Sequence, residues 1–232
     1  MKPRYLIPGL LLSFLLAFLP VANRAGSGEL PVSDVGERQL YAAIGLSVKG
    51  LSMDVFLLAL RGFQKLHAEG LLLKDSILTI ADLSQSSRNK RLYVIDLARK
   101  VLLFNTYVAH GRNTGEEFAR KFSNAAGSLK SSLGFYVTGQ EIKGTEVGLS
   151  LVLEGMEKGF NDNARSREII MHGAEYATER FIRKFGRLGR SFGCPSLPPE
   201  LIRPVVDVIK EGSCLFIYNR DESYLKGSSV LN

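Results

Sequence analysis

The stretch Arg91-Leu-Tyr-Val-Ile-Asp-Leu-Ala-Arg-Lys-Val-Leu-Leu-Phe-Asn-Thr-Tyr-Val-Ala-His110 decides the fold class. Two apolar runs, Arg91 to Leu97 and Val101 to His110, flank the link Ala98-Arg99-Lys100, which is short enough for a hairpin. Runs of the same kind recur from Ser76 onward: Ile77 to Asp82, Leu133 to Thr138, Gly148 to Leu153, Glu168 to His172 and Cys214 to Tyr218. Several such runs with glycine turns between them predict a mainly β domain, a sandwich or barrel. Upstream the pattern differs. Val55, Phe56, Ala59, Leu60, Phe63 and Leu66 recur at three- and four-residue steps behind Ser52, a suitable N-cap, and Gly70 stops the run. This predicts an amphipathic helical element whose apolar face needs cover. One shorter helix is expected at Pro199 to Lys210, with Pro199 in its first turn and Gly212 after its end.

With 232 residues, 45% of them hydrophobic and 23% charged, the chain can bury a sizeable core and is neither disordered nor fibrous. Its 23 glycines suit many turns. A net charge of +7 favours a polyanionic neighbour, which by charge alone could be nucleic acid, anionic lipid or a carboxylate-rich polymer. Nucleic acid is disfavoured, because no dense Lys/Arg run carries interleaved aromatics and the chain has no tryptophan for base stacking. Nothing in the sequence bears on oligomeric state.

The N-terminus points to export. Lys2 and Arg4 precede a run without charge from Leu6 to Ala22. The small-residue exit is imperfect, since cleavage after Ala25 places Asn23, and cleavage after Ala22 places Pro20, three residues before the cut. Residues 1–25 are therefore read as a signal peptide or a retained N-terminal membrane anchor, and the protein as exported to the periplasm or cell envelope. Residues 26–70 read as spacer and helical element, 71–220 as the main domain and 221–232 as a C-terminal tail.

Two cysteines in an exported chain can pair. Their settings differ, however. Cys214 lies in the apolar run Ser213-Cys-Leu-Phe-Ile-Tyr218, where a free thiol behaves as a small core residue, whereas Cys194 lies in the turn-rich Gly189-Arg-Ser-Phe-Gly-Cys-Pro195. Two of the three histidines end apolar runs in the same way, Val108-Ala-His110-Gly111 and Ile170-Met-His172-Gly173. An imidazole at a strand end, with glycine letting the backbone turn away, is well mounted to act as a base. A thiol is mostly protonated at neutral pH and becomes nucleophilic when imidazole or positive charge favours the thiolate. Gly193 would let backbone N–H groups approach a substrate oxyanion. On the residues alone, three readings of Cys194 stay open: a nucleophile, half of a disulfide with Cys214, or an inert thiol. No C-x-x-C, H-x-x-H or H-E-x-x-H pattern suggests a metal, no phosphate loop is present, and no cofactor is implied.

His172-Gly173 followed by Ser191-Phe192-Gly193-Cys194 resembles the signature of YkuD-type L,D-transpeptidases, in which His-Gly on one strand precedes Ser/Thr-x-Gly-Cys. The branch of murein L,D-transpeptidase catalytic domain proteins is closer still. Its members read much like Ala109 to Gly115, Ser131 to Gly139, Asn161 to Arg165 and Gly186 to Pro195, and the likeness runs from about Leu51 to Tyr218. Two positions depart: Phe192 and Ser196 stand where the common pattern has His before Gly-Cys and Arg two places after Cys.

The resemblance implies a YkuD-like β-sandwich catalytic domain over 71–220, with the helical element packed on it and a short helix after the cysteine. It implies Cys194 as nucleophile and His172 as base, with Gly193 and Cys194 supplying backbone donors for the oxyanion. Ser191, Gly173, His110, Arg187 and Arg190 would contact substrate, the two arginines standing in for the usual Arg. The partners implied are peptidoglycan stem peptides. Cys194 would attack the carbonyl at the L-centre of a diamino-acid residue followed by a D-amino acid. The thioester would pass to an amine, making a cross-link, or to water, making a carboxypeptidase or endopeptidase. A non-catalytic wall-binding protein with paired cysteines is the other class.

Overall fold

Helix α2 (Met53–Ala68) begins where Ser52 Oγ accepts from the Val55 N–H at 3.4 Å, and its apolar stripe, Val55 through Leu66, is buried. Each of those large side chains contributes roughly 1.5–3 kcal/mol by leaving water. Gly62, in mid-helix, is explained by what it faces: a Cβ there would lie 2.1 Å from Phe135 Cζ, so the helix can press on the aromatic ring only with glycine at that position. The structure, a computed structural model, describes residues 34–144 and 146–232. The export segment read at residues 1–25 lies outside the described residues, as does most of the spacer. Before α2 the chain forms α1 (Asp34–Ile44) and a short 3-10 turn at Ser47–Lys49.

The strands are β1 (Ile77–Asp82), β2 (Leu92–Asp96), β3 (Val101–Thr106), β4 (Gly134–Gly144), β5 (Gly148–Gly155), β6 (Ile170–Gly173), β7 (Ser196–Leu197) and β8 (Cys214–Tyr218). They form one eight-stranded sheet in the order β3-β2-β1-β8-β4-β5-β6-β7. β2 and β3 make the expected hairpin, with Lys100 in the left-handed region at φ 56° to close the link. β8 lies parallel to β1 and antiparallel to β4, so the chain's last strand is central.

The sheet is curled. Helix α4 (Pro199–Ile209) packs on β5 and β6 and also on β1, four strands away, a span of roughly 19 Å if the strands lay flat at their usual spacing. One helix of roughly 10–12 Å diameter reaches both only if the sheet bends around it. The chain beyond β3 completes the bend, because Ala109 bridges Ser196 in β7 by N–H···O contacts of 2.9 and 3.4 Å. The mainly β architecture read from the sequence is thus a single curled sheet, and β1, β2 and β8 are buried along their whole length.

Two further helices are α3 (Glu179–Phe185) and α5 (Glu222–Gly227), the second within the stretch read as a tail. Residues 221–232 pack down because of buried Glu157. Its carboxylate accepts from the Phe135 N–H (2.7 Å), the Tyr224 hydroxyl (3.0 Å) and the Ser228 hydroxyl, and Val230 and Leu231 are buried beside it.

Candidate active site

Serine side chains build the turn that carries Cys194. Ser191 Oγ accepts from the Gly193 N–H (3.1 Å) and donates to the Cys194 carbonyl (2.6 Å). Ser131 Oγ ties this turn to the other His-Gly element, accepting from the Gly111 N–H (3.0 Å) and donating to the Gly193 carbonyl (3.1 Å). Gly193 has φ 132°, and a Cβ there would lie 2.9 Å from both Ile169 Cδ1 and the Lys130 carbonyl oxygen, so both conformation and space require glycine.

Cys194 and His172 open on one cavity of about 610 Å³, whose wall also includes Arg167, Glu168, Tyr176, Arg190 and Phe192. His172 is the third residue of β6. Its Nδ1 lies 3.0 Å from the Gly173 carbonyl and its Nε2 3.0 Å from Ser196 Oγ. A carbonyl can only accept, so Nδ1 carries the hydrogen and Nε2 is the acceptor. Burial holds this imidazole below its ordinary pKa, against the opposing pull of the Gly173 carbonyl, and the neutral, basic form is the resting one.

The Cys194 thiol donates to the Glu168 carbonyl at 3.7 Å and makes no hydrogen bond to His172. Burial raises its pKa, while the Ile170 N–H, the Arg167 guanidinium and its own N–H favour the thiolate. Glu168 holds φ 55°, the left-handed region, where a side chain costs on the order of 1–3 kcal/mol. Cys214, by contrast, is fully buried in β8, and burial pushes its thiol far up. Both cysteines are free, so the structure contains no Cys194–Cys214 disulfide.

The other residues singled out in the sequence divide. Ser191, Gly173 and Arg190 line the cavity. Arg187 does not; it shares Glu116 with Arg190, each ion pair at 2.6 Å, and donates to the Leu188 carbonyl. His110 is not on the cavity wall either. It is 1% exposed, its Nδ1 accepts from fully buried Arg91 (2.8 Å) and its Nε2 donates to the Gly115 carbonyl (3.2 Å). Burial first, and then Arg91, lower its pKa to about 3. Of the two N–H groups read as oxyanion donors, that of Gly193 is taken by Ser191 Oγ, and that of Cys194 faces its own sulfur.

The residue missed in the sequence is Arg167. It donates to Ser132 Oγ (2.5 Å), the Lys130 carbonyl (2.8 Å), the Ser123 carbonyl (2.9 Å) and Ser128 Oγ (3.1 Å). A cation gripped by neutral oxygens keeps its charge for the neighbouring sulfur. Only its place just ahead of the His172 strand set it apart among 30 basic residues, and that is no signal of charge placement. Among the described residues, no group of three or more His, Cys, Asp or Glu side chains could hold a metal ion.

Fold and cavity thus define a β-sheet protein with a thiol and a neutral imidazole on one open wall. The model of the L,D-transpeptidase catalytic domain family matches residues 47–218, and the chain belongs to that family. Among solved structures it is similar to an L,D-transpeptidase from Mycobacterium smegmatis, with TM-score 0.38 and 14% identity over 62% of this chain and 59% of that one. The helical cell shape determining protein Pgp2 from Campylobacter jejuni gives 0.43 and 15% over 70% and 57%, and an L,D-transpeptidase from Stackebrandtia nassauensis 0.40 and 11% over 81% and 78%. The chain spans somewhat over half the length of the first two. No curated protein matches significantly.

Proposed function

We propose that this chain is an exported cysteine acyltransferase that acts on peptidoglycan stem peptides, with Cys194 as nucleophile and His172 as base. The observation that carries this reading is the placement of Cys194 and the neutral His172 on the wall of one accessible cavity, while the second thiol is sealed in β8. Cys194 sulfur attacks the carbonyl carbon, the amide C–N bond breaks, and the proton taken from the thiol leaves with the amine. The resulting thioester passes to an acceptor amine, or to water in the hydrolytic alternative. Arg167 supports the thiolate and Arg190 faces the substrate's carboxylates. The +7 net charge suits a polymer rich in carboxylates. Residues 71–220 with the packed helices form the catalytic unit, and residues 1–25 serve as signal peptide or anchor, placing the enzyme in the periplasm or cell envelope.

Intact-mass analysis of protein incubated with tetrapeptide-bearing disaccharide tests the reading. A tripeptidyl adduct should appear on the wild type and on Cys214→Ala, and be lost in Cys194→Ala. An adduct that survives Cys194→Ala sinks the assignment. Separation of the products into cross-linked dimer and free tripeptide then tells amine from water as acceptor.

A further inference from the structure

The thiol and the imidazole share a cavity without a hydrogen bond between them, and the Nε2 lone pair is covered by Ser196, which raises the question of how a proton passes between them. We propose that Tyr176 and Ser196 are the proton path between the cavity and His172 Nε2. The proposal rests on the reading of Cys194 and His172 as nucleophile and base.

The hydrogen-bond directions along this path are set by elimination. Nδ1 of His172 must donate to the Gly173 carbonyl, so Nε2 must accept, and the group it meets is Ser196 Oγ at 3.0 Å. Ser196 is fully buried and its single hydroxyl hydrogen is spent on Nε2. The 2.9 Å contact between Tyr176 Oη and Ser196 Oγ therefore has Tyr176 as donor. The chain runs Tyr176 to Ser196 to His172, and its outer end, Tyr176, stands on the same cavity wall as Cys194. Both backbones are pinned: Ser196 is the register partner of His172 across β6 and β7 and is bridged from the other side by Ala109. Ser196 occupies the position two after the cysteine where the common family pattern carries Arg, a side chain with no lone pair to pass a proton on.

The transfers balance. The thiol hydrogen leaves the Glu168 carbonyl and crosses the cavity to Tyr176 Oη, the Tyr176 hydrogen passes to Ser196 Oγ, and the Ser196 hydrogen to Nε2, leaving thiolate and imidazolium. Every bond in the chain is then reversed, and the Tyr176 O–H points into the cavity. As the amide C–N bond breaks, Tyr176 gives that hydrogen to the departing nitrogen, Ser196 reprotonates Tyr176, and Nε2 returns its proton to Ser196. One S–H bond has been exchanged for one N–H bond, and the path is restored. Tyr176 is thus a catalytic residue and Ser196 a positioning one that relays through it.

Rapid-quench measurement of acyl-enzyme formation on the tetrapeptide-bearing disaccharide, in mixtures of light and heavy water, tests this. Tyr176→Phe keeps the ring and should slow acylation roughly ten- to hundredfold, less than loss of the base itself at about 10²–10⁴-fold, with KM little changed. Ser196→Ala should act alike, and Ser196→Thr, which restores a hydroxyl, should recover most of the rate. The dependence of the wild-type rate on deuterium fraction should bow, as several protons move together, and straighten in Tyr176→Phe. A slow His172→Gln beside Tyr176→Phe and Ser196→Ala at wild-type rate with bowed profiles overturns the path alone. A His172→Gln at wild-type rate removes the base reading and the path with it.

Discussion

His110 and His172 occupy the same local setting, an imidazole ahead of glycine where an apolar run ends, and they hold opposite tautomers. At His110 the partner on Nδ1 is Arg91, which can only donate, so the lone pair is consumed and Nε2 carries the hydrogen to Gly115. At His172 the partner on Nδ1 is a carbonyl, which can only accept, so the lone pair is left at Nε2. The first ring is sealed and locked by a buried cation. The second faces hydroxyls that lead to a cavity. A general base needs an available lone pair, and what supplies or removes it is the neighbour that the fold brings in.

The comparison can be broken most directly by rate. His172→Gln should lower acyl-enzyme formation by about 10²–10⁴-fold, whereas His110→Gln should cost roughly tenfold or less, since glutamine can still accept from Arg91 and donate to Gly115. A folded, inactive His110→Gln beside a near-normal His172→Gln would exchange their roles.

A stability measurement sharpens the same contrast. Arg91 donates to the Val108 and Gln85 carbonyls as well as to His110, and lysine cannot reproduce that fork. Arg91→Lys should lose about 2–4 kcal/mol in urea unfolding, as buried acceptors go unpaired. The same change at exposed Arg112 should stay within about 0.5 kcal/mol. Equal losses at both positions would remove the special standing of the buried network.

Acid unfolding reads out the sealed ring. His110 has a folded pKa of about 3 against an ordinary 6.5, so below 6.5 the unfolded chain takes up a proton that the folded one refuses. Its contribution is complete above pH 6.5 and is lost progressively between 6.5 and about 3. His172, also lowered, acts in the same direction. Thermal midpoints should fall across that window in the wild type and fall less steeply in His110→Gln. An unchanged slope in that variant would mean that His110 is not the group responsible.

The smallest effect belongs to the His172 side. Glu168→Gly relieves a left-handed residue and should leave stability unchanged or raised by up to about 1 kcal/mol. A loss larger than that would show that the exposed side chain itself holds the Cys194 turn.

Local pattern was enough to read the strands Ile77–Asp82 and Cys214–Tyr218 to the residue, the helix behind Ser52 and the helix from Pro199, because each is defined by its own periodicity and caps. The two-residue β7 could not be read that way: Ser196 and Leu197 are a strand only because β6 and the chain beyond β3 lie on either side. The tail became α5 for a similar reason, since buried Glu157 needs the hydroxyls of Tyr224 and Ser228.

By itself the sequence determined a mainly β chain, a cysteine in a glycine turn and two equivalent His-Gly ends. Only the tertiary structure decided which imidazole keeps its lone pair and which cation stands beside the sulfur. Tautomer and electric field are set by neighbours within a few ångströms, and here those neighbours come from distant parts of the chain: Arg91 for His110, Ser196 for His172 and Arg167 for Cys194.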